Sequence, residues 1–172
     1  EVIQYCVNRR AQLSDSFIGT RLVIPSGSAK QRSNDTDYLY RPHSAFAYYT
    51  GVQGVEAQPD SVLVMEPIDG GHEPILFINP RSTRDTEAFY QDAKNGELWV
   101  GRRFTTDEAS QRYGIEVREV KDMPKFLKGK PAAALHDYDA VVDSVVKPHA
   151  RSEELVNFVS AARLIKDEYE VA

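Results

Sequence analysis

The chain has one cysteine, one tryptophan and no apolar run approaching the roughly 18–20 residues that cross a bilayer as a helix. A single thiol, Cys6, excludes an internal disulfide framework and a cysteine-based zinc site, and it suits a reducing, cytoplasmic compartment. The N-terminus shows no basic start followed by an apolar core, so no membrane partner is expected. Basic residues are in the minority, with Lys and Arg at 21 against Asp and Glu at 26 and a net charge of -5. A nucleic-acid partner, whose affinity would rest on a basic face, is therefore not expected either.

Self-sufficient catalytic motifs are also missing. There is no Gly-rich phosphate loop followed by Lys-Ser or Lys-Thr, no Gly-x-Ser-x-Gly elbow and no Cys–His arrangement. His43, His72, His136 and His149 lie far apart, without the two-ligands-on-one-turn spacing of a metal helix, and read as structural histidines. No catalytic residue, metal ligand or cofactor is assigned within this chain.

What is present suits one domain of ordinary size: 172 residues, 41% of them hydrophobic. Ile3, Cys6, Val7, Arg10 and Leu13 recur at helical spacing over the first 16 residues, with Arg9, Arg10 and Gln12 mostly on the other side, which predicts an amphipathic helix. Residues 21–24 form a β-type run stopped by Pro25. Two apolar runs at 61–65 and 75–78 flank a segment with paired prolines and glycines that reads as a hairpin connection. These runs are continuous rather than alternating, which predicts a sheet covered on both faces.

A short helix is predicted from Thr86 to Ala93, and Thr105-Thr-Asp-Glu108 has capping-box spacing with Gly114 placed to end the helix. A strand over 115–120, a short helix over 122–128, a small strand over 132–135, a helix capped by Asp137 and one capped by Ser152 follow. Asp167-Glu-Tyr-Glu170 repeats the capping-box spacing just before Ala172, and the chain opens on Glu1, so a longer protein is expected. Helices and strands alternate without internal repeats, the pattern of an α/β layered domain.

Two stretches invite a functional reading. Residues 32–51 hold five of the 17 aromatic residues beside two acids and two arginines. Tyr38 and Tyr40 alternate as on a strand, Pro42 biases Arg41 toward an extended conformation, and Gly51 can supply a positive-φ turn. The stretch reads as an aromatic-lined extended segment bent at Pro42, either plain core or a recognition edge. Trp99 precedes Gly101-Arg-Arg103, so a flat aromatic surface sits beside two cations; it either fills the core or contacts a partner.

Both stretches carry a resemblance. The Arg-x-x-Asp start at Arg32, the Tyr-x-Tyr-Arg step ending at Arg41, the Ser-x-Phe-x-Tyr-x-Thr-Gly end at Gly51 and the Trp-x-Gly-Arg-Arg block at Trp99 occur in order. Together they resemble the N-terminal domain of bacterial Xaa-Pro aminopeptidases, the aminopeptidase P family, and Arg163-Leu-Ile-Lys-Asp-Glu-Tyr-Glu170 is similar to the junction with the family's catalytic domain.

The resemblance implies a three-layer α/β/α domain around a mixed sheet, of the creatinase N-terminal (ribonuclease H-like) type. This domain would span residues 1–160, with 161–172 the junction and the start of the first catalytic-domain helix. It further implies a non-catalytic domain that builds subunit contacts in a homo-oligomer and narrows access for a peptide with proline second. Chemistry would belong to a C-terminal half holding two divalent ions, usually manganese. By motif position, Asp35 and Trp99 are the residues that would reach toward a neighbour's substrate, and Arg41 and Arg102 would brace that edge.

A prolidase or creatinase relative and a free-standing interaction module are the alternatives. A ribonuclease H-type nuclease would need carboxylates converging on the strand ends, and the runs at 22–24, 62–65 and 75–78 contain none.

Overall fold

The computed structural model describes residues 2–28, 31–32, 36–37, 42–52, 56–80 and 104–162. Helix α1 (Val2–Ser16) leads into β1 (Leu22–Pro25); a separate two-stranded hairpin, β2 (Gln31–Arg32) and β3 (Thr36–Asp37), precedes α2 (Ser44–Thr50). Then come β4 (Val62–Ile68), β5 (Gly71–Ile78), α3 (Thr106–Tyr113), β6 (Glu116–Glu119) and a 3₁₀ turn over Val120–Asp122. Helix α4 (Met123–Leu127), β7 (Ala133–Ala134), α5 (Ala140–Val145) and α6 (Ser152–Ala162) complete the described elements. Five strands form a mixed sheet in the order β6-β5-β4-β1-β7, with parallel pairs at its two ends and antiparallel pairs between.

The continuous apolar runs do cover two faces. Leu22, Ile24, Leu63, Met65, Leu76 and Ile78 pack against α1, α2, α3 and α6 through Leu13, Phe17, Phe46, Tyr49, Tyr113 and Leu155. Their strand neighbours Val23, Val62, Val64, Ile75 and Phe77 point the other way, onto Met123 and Leu127 of α4 and Val142 of α5. The result is the expected three-layer α/β/α arrangement.

Helix α3 has both bonds of the predicted capping box: the Thr105 hydroxyl accepts from the Glu108 N–H at 3.2 Å, and Glu108 Oε1 accepts from the Thr105 N–H at 3.0 Å. Gly114 ends it at φ 67, in the left-handed region that favours glycine.

Several expectations are corrected. Residues 44–50 are helical, not extended: the His43 imidazole accepts from the Ala45 N–H at 3.2 Å as a cap, Phe46 and Tyr49 are buried, and Gly51 closes the helix at φ 80. Arg9 and Arg10 lie on the buried side of α1, whereas Ile3 and Val7 are each 41% exposed. The cause is the end of α2, whose last carbonyls have no helical donor. Arg9 Nη1 donates to the Tyr48 carbonyl at 3.1 Å and Arg10 Nη1 to that of Tyr49 at 2.6 Å, two cations at a helix C-terminus.

The β4–β5 strands run on to a two-residue turn at Asp69 and Gly70, so Pro67 and Pro74 are strand residues. Both lie beyond the stretches paired with β1 and β6, where a missing N–H disrupts no third strand. The cap of α5 is Asp139, whose carboxylate accepts from the Val141 and Val142 N–H groups, and Asp137 instead adopts φ 75. Ser152 is the first helical residue of α6, and its hydroxyl accepts from the Ala134 N–H of β7 at 3.2 Å. The predicted helix over 86–93, Tyr38, Tyr40 and the junction at 163–170 lie outside the described residues.

Candidate functional site

Register alone brings the roots of the two marked stretches together. Pro25 at the end of β1 pairs with Val62 at the start of β4, and Val62 pairs with Phe77 near the end of β5. The carboxyl ends of β1 and β5 therefore lie at the same end of the sheet, which is where open α/β sheets form their ligand sites. From β1 the chain enters the first stretch after Ser28 and returns at Pro42. After Pro80 comes the second, and Phe104 is again packed against the core.

The root of the first stretch is tied by short polar contacts. The His43 N–H donates to the Ser26 carbonyl at 2.7 Å, the Ser28 N–H to Tyr138 at 3.2 Å, and the Asp60 N–H to Gly27 at 3.0 Å. The Ser28 hydroxyl donates to Asp60 Oδ1 at 2.9 Å, and the buried Ser26 hydroxyl accepts from the Ser61 N–H at 3.0 Å. The His43 ring packs on Tyr138 with centroids 4.1 Å apart, and its role as acceptor at Nδ1 puts the proton of the neutral ring on Nε2. Asp60 and Asp137 both adopt positive φ, 66° and 75°, a conformation that aspartate tolerates better than most residues.

Beside this root lies a small depression lined by Phe46, Val52, Ile78, Phe104 and Ala109 on its apolar side and by Glu56, Gln58, Ser61 and Tyr113 on its polar side. The Tyr113 hydroxyl donates to Glu56 Oε2 at 2.7 Å, and Arg112 Nε donates to Oε1 at 3.2 Å. Burial, reinforced by the bond to Glu56 and its charge, raises the phenol pKa, so Tyr113 remains a donor across the physiological range. The Gln58 and Ser61 backbones also bind Ser26, which makes the root and the depression one continuous structure.

The four residues singled out by motif position, Asp35, Arg41, Trp99 and Arg102, lie outside the described residues. Asp35 falls in sequence between β2 and β3, and Trp99 and Arg102 between β5 and Phe104. The four histidines have local structural roles: His43 and His149 accept from nearby backbone N–H groups, His72 bridges the Ser14 hydroxyl and the Thr20 carbonyl, and His136 pairs with Asp143. Among the described residues no group of three or more His, Cys, Asp or Glu side chains is placed to hold a metal ion.

Sequence reading missed Ser26, Glu56, Gln58 and Tyr113. Tyr113 carried a signal, since the capping box sets the frame of α3 and places Ala109 and Tyr113, four apart, on its buried side. The others sit in irregular chain, where no periodicity marks them. Among the described residues no helix is long and apolar enough to cross a membrane.

Comparison with known proteins gives this architecture a context. The family model for the aminopeptidase P N-terminal domain matches residues 6–136. The chain is 43% identical over 168 residues to Xaa-Pro aminopeptidase 1 of Streptomyces coelicolor, covering 95% of this chain and 33% of that protein. It is 36% identical over 176 residues to Xaa-Pro aminopeptidase 2 of the same organism, covering 99% and 36%. Among solved structures, an Escherichia coli aminopeptidase P with the inhibitor Pro-Leu aligns with a TM-score of 0.60 at 24% identity, over 90% of this chain and 31% of that one. Proline aminopeptidase P II from Yersinia pestis aligns with a TM-score of 0.59 at 22% identity, over 91% and 32%. These structural matches speak for the fold, and the chain spans about a third of the length of the curated relatives it matches. The matches to the family model and to these relatives establish that the chain belongs to the aminopeptidase P N-terminal domain family.

Proposed function

We propose that this domain is the non-catalytic N-terminal part of a cytoplasmic, homo-oligomeric Xaa-Pro aminopeptidase, a hydrolase removing the residue before a proline. The observation that carries the reading is the match, over nearly the whole chain, to relatives named Xaa-Pro aminopeptidases of which it spans about a third. The domain would run to residue 160, with 161–172 leading into the catalytic half. Two divalent ions there, manganese in this reading, would supply the activated water and stabilise the developing charge.

The domain's own contribution is subunit contact and substrate access. A peptide with proline in second position presents a rigid ring and no N–H at that residue, so an aromatic wall suits it better than a hydrogen-bonding strand edge. Trp99 supplies that wall, Asp35 attracts the free amine, and Arg41 and Arg102 brace the edge. Support for this assignment comes from the root of the first stretch, held by Ser26, His43 and Ser61 at the end of the sheet to which β5 also leads.

In the full-length protein, Trp99→Ala is expected to lower kcat/KM on an Xaa-Pro peptide at least about tenfold, roughly 1.4 kcal/mol of transition-state binding. Bound metal should stay unchanged. Unaltered kinetics would remove the role given to Trp99.

A further inference from the structure

The turn of the β4–β5 hairpin, at the opposite end of the sheet from the root, joins Asp69 directly to Gly70. Both residues are exposed, and neither the Asp69 carboxylate nor the Gly70 N–H has a partner among the described residues. Gly70 sits at φ 79, and no described atom lies within 4 Å of the point where a Cβ would stand, so the turn is uncrowded there.

An aspartyl side chain cyclises onto the nitrogen of the next residue only where that nitrogen is free, the carboxyl is unbonded and the following side chain is small. Asp15, Asp60, Asp139 and Asp143 also precede a serine or an alanine. Ser16 and Ser144 lie within α1 and α5, where the N–H serves the helix ladder. The Ser61 N–H donates to the buried Ser26 hydroxyl at 3.0 Å, and the Asp139 carboxylate accepts from the Val141 and Val142 N–H groups. Among the described residues, Asp69 is where a following glycine, a free nitrogen and an unbonded carboxyl coincide.

We infer that Asp69 is a site of spontaneous isoaspartate formation, a covalent change in the backbone that requires neither enzyme nor cofactor. The Gly70 nitrogen attacks the carbon of the neutral Asp69 carboxyl; a C–N bond forms, and the N–H proton leaves with the carboxyl OH as water. Water then opens the five-membered imide. Cleavage at the side-chain carbonyl restores aspartate, and cleavage at the main-chain carbonyl leaves the chain running through the side-chain carbon, with a free α-carboxylate. The new linkage carries one more carbon through a two-residue turn beside Gly71 and His72, which are seated on α1: a Cβ on Gly71 would lie 3.6 Å from the Ser14 hydroxyl, and His72 Nδ1 is 2.7 Å from it. The site does not rest on the peptidase reading.

The test ages the 172-residue chain in buffer made from water enriched in heavy oxygen, digests it in ordinary water and locates label and isoaspartate by mass spectrometry with electron-transfer fragmentation. Each imide opening adds one heavy oxygen. Label and isoaspartate are expected to rise at Asp69 at least about tenfold faster than at Asp60, where cyclisation would first have to free the bonded Ser61 N–H. Asp69→Glu keeps a carboxylate in the exposed turn but requires a six-membered ring, and it should lose the label at this position. Absence of label at Asp69, equal labelling of Asp69 and Asp60, or undiminished label in Asp69→Glu would overturn the inference.

Discussion

The backbone N–H of His43 donates to the carbonyl of Ser26 at 2.7 Å, joining two points 17 residues apart on either side of the β2–β3 hairpin. That bond closes the root of the first marked stretch against the end of β1. The hairpin is therefore carried by the carboxyl end of β1, a strand paired on both sides, as the role proposed for Asp35 requires.

Ser26→Ala tests this root. The substitution leaves the Ser61 N–H, which now donates to Ser26 Oγ at 3.0 Å, without a partner in a buried position. A loss of about 1–3 kcal/mol in chemical denaturation is expected, with faster hydrogen exchange at the Ser61 amide. Stability within a few tenths of wild type would mean that Ser61 finds another acceptor.

Helix α3 depends on its reciprocal cap. Thr105→Ala is expected to cost about 1 kcal/mol, Thr105→Ser only a few tenths. Because Thr105 and Glu108 each serve the other's N–H, Thr105→Ala and Glu108→Ala should be non-additive in a double-mutant cycle. Simple additivity would show that the two bonds act independently.

Arg21 and Glu66 set one part of the pH dependence. Arg21 Nε donates to Glu66 Oε2 at 2.7 Å and Nη2 to Oε1 at 2.5 Å, and this bidentate bond holds the Glu66 carboxyl below its ordinary pKa despite partial burial. A depressed folded pKa contributes stability above the unfolded value of about 4.3, and the contribution disappears as pH falls through the lower folded value. Wild type should thus exceed Glu66→Gln by about 1 kcal/mol at pH 7, after allowance for solvent screening, with the gap closing below about pH 4. A gap independent of pH would refute the assignment.

Asp139 behaves in the opposite sense. Burial raises its pKa against the lowering effect of the Val142 and Val141 N–H groups, so the folded protein binds a proton there more readily than the unfolded chain. Its stabilising contribution is full below the unfolded pKa and diminishes as pH rises through the folded one. Asp139→Asn keeps an acceptor for the cap without a buried charge, and should match or exceed wild type at pH 7, whereas Asp139→Ala loses about 1–2 kcal/mol. Thermal unfolding of the two variants checks this, and equal losses would contradict it.

Features set by neighbouring residues were legible in the sequence. The capping box at Thr105, the apolar runs of β4 and β5, the positive φ of Gly51 and the helix end at Gly114 are local, and each appears in the structure. Features set across the fold were not. Arg9 and Arg10 read as solvent-facing because nothing near them in sequence shows that the Tyr48 and Tyr49 carbonyls, 39 residues away, need donors. Helix α2 was hidden by its aromatics and by Pro42, which suit an extended chain until His43 caps Ala45 and Phe46 finds the core. The marked stretches were legible by resemblance, but their shared root depends on the β1–β4–β5 register.

In the proposed function this domain serves a peptidase without performing its chemistry. The direct measurement is release of the N-terminal amino acid from an Xaa-Pro peptide with manganese, for the 172-residue chain and for the full-length protein under identical conditions. Turnover by the full-length protein and none above the blank by the chain alone is expected; release by the chain alone, or none by the full-length protein, would contradict the proposed function.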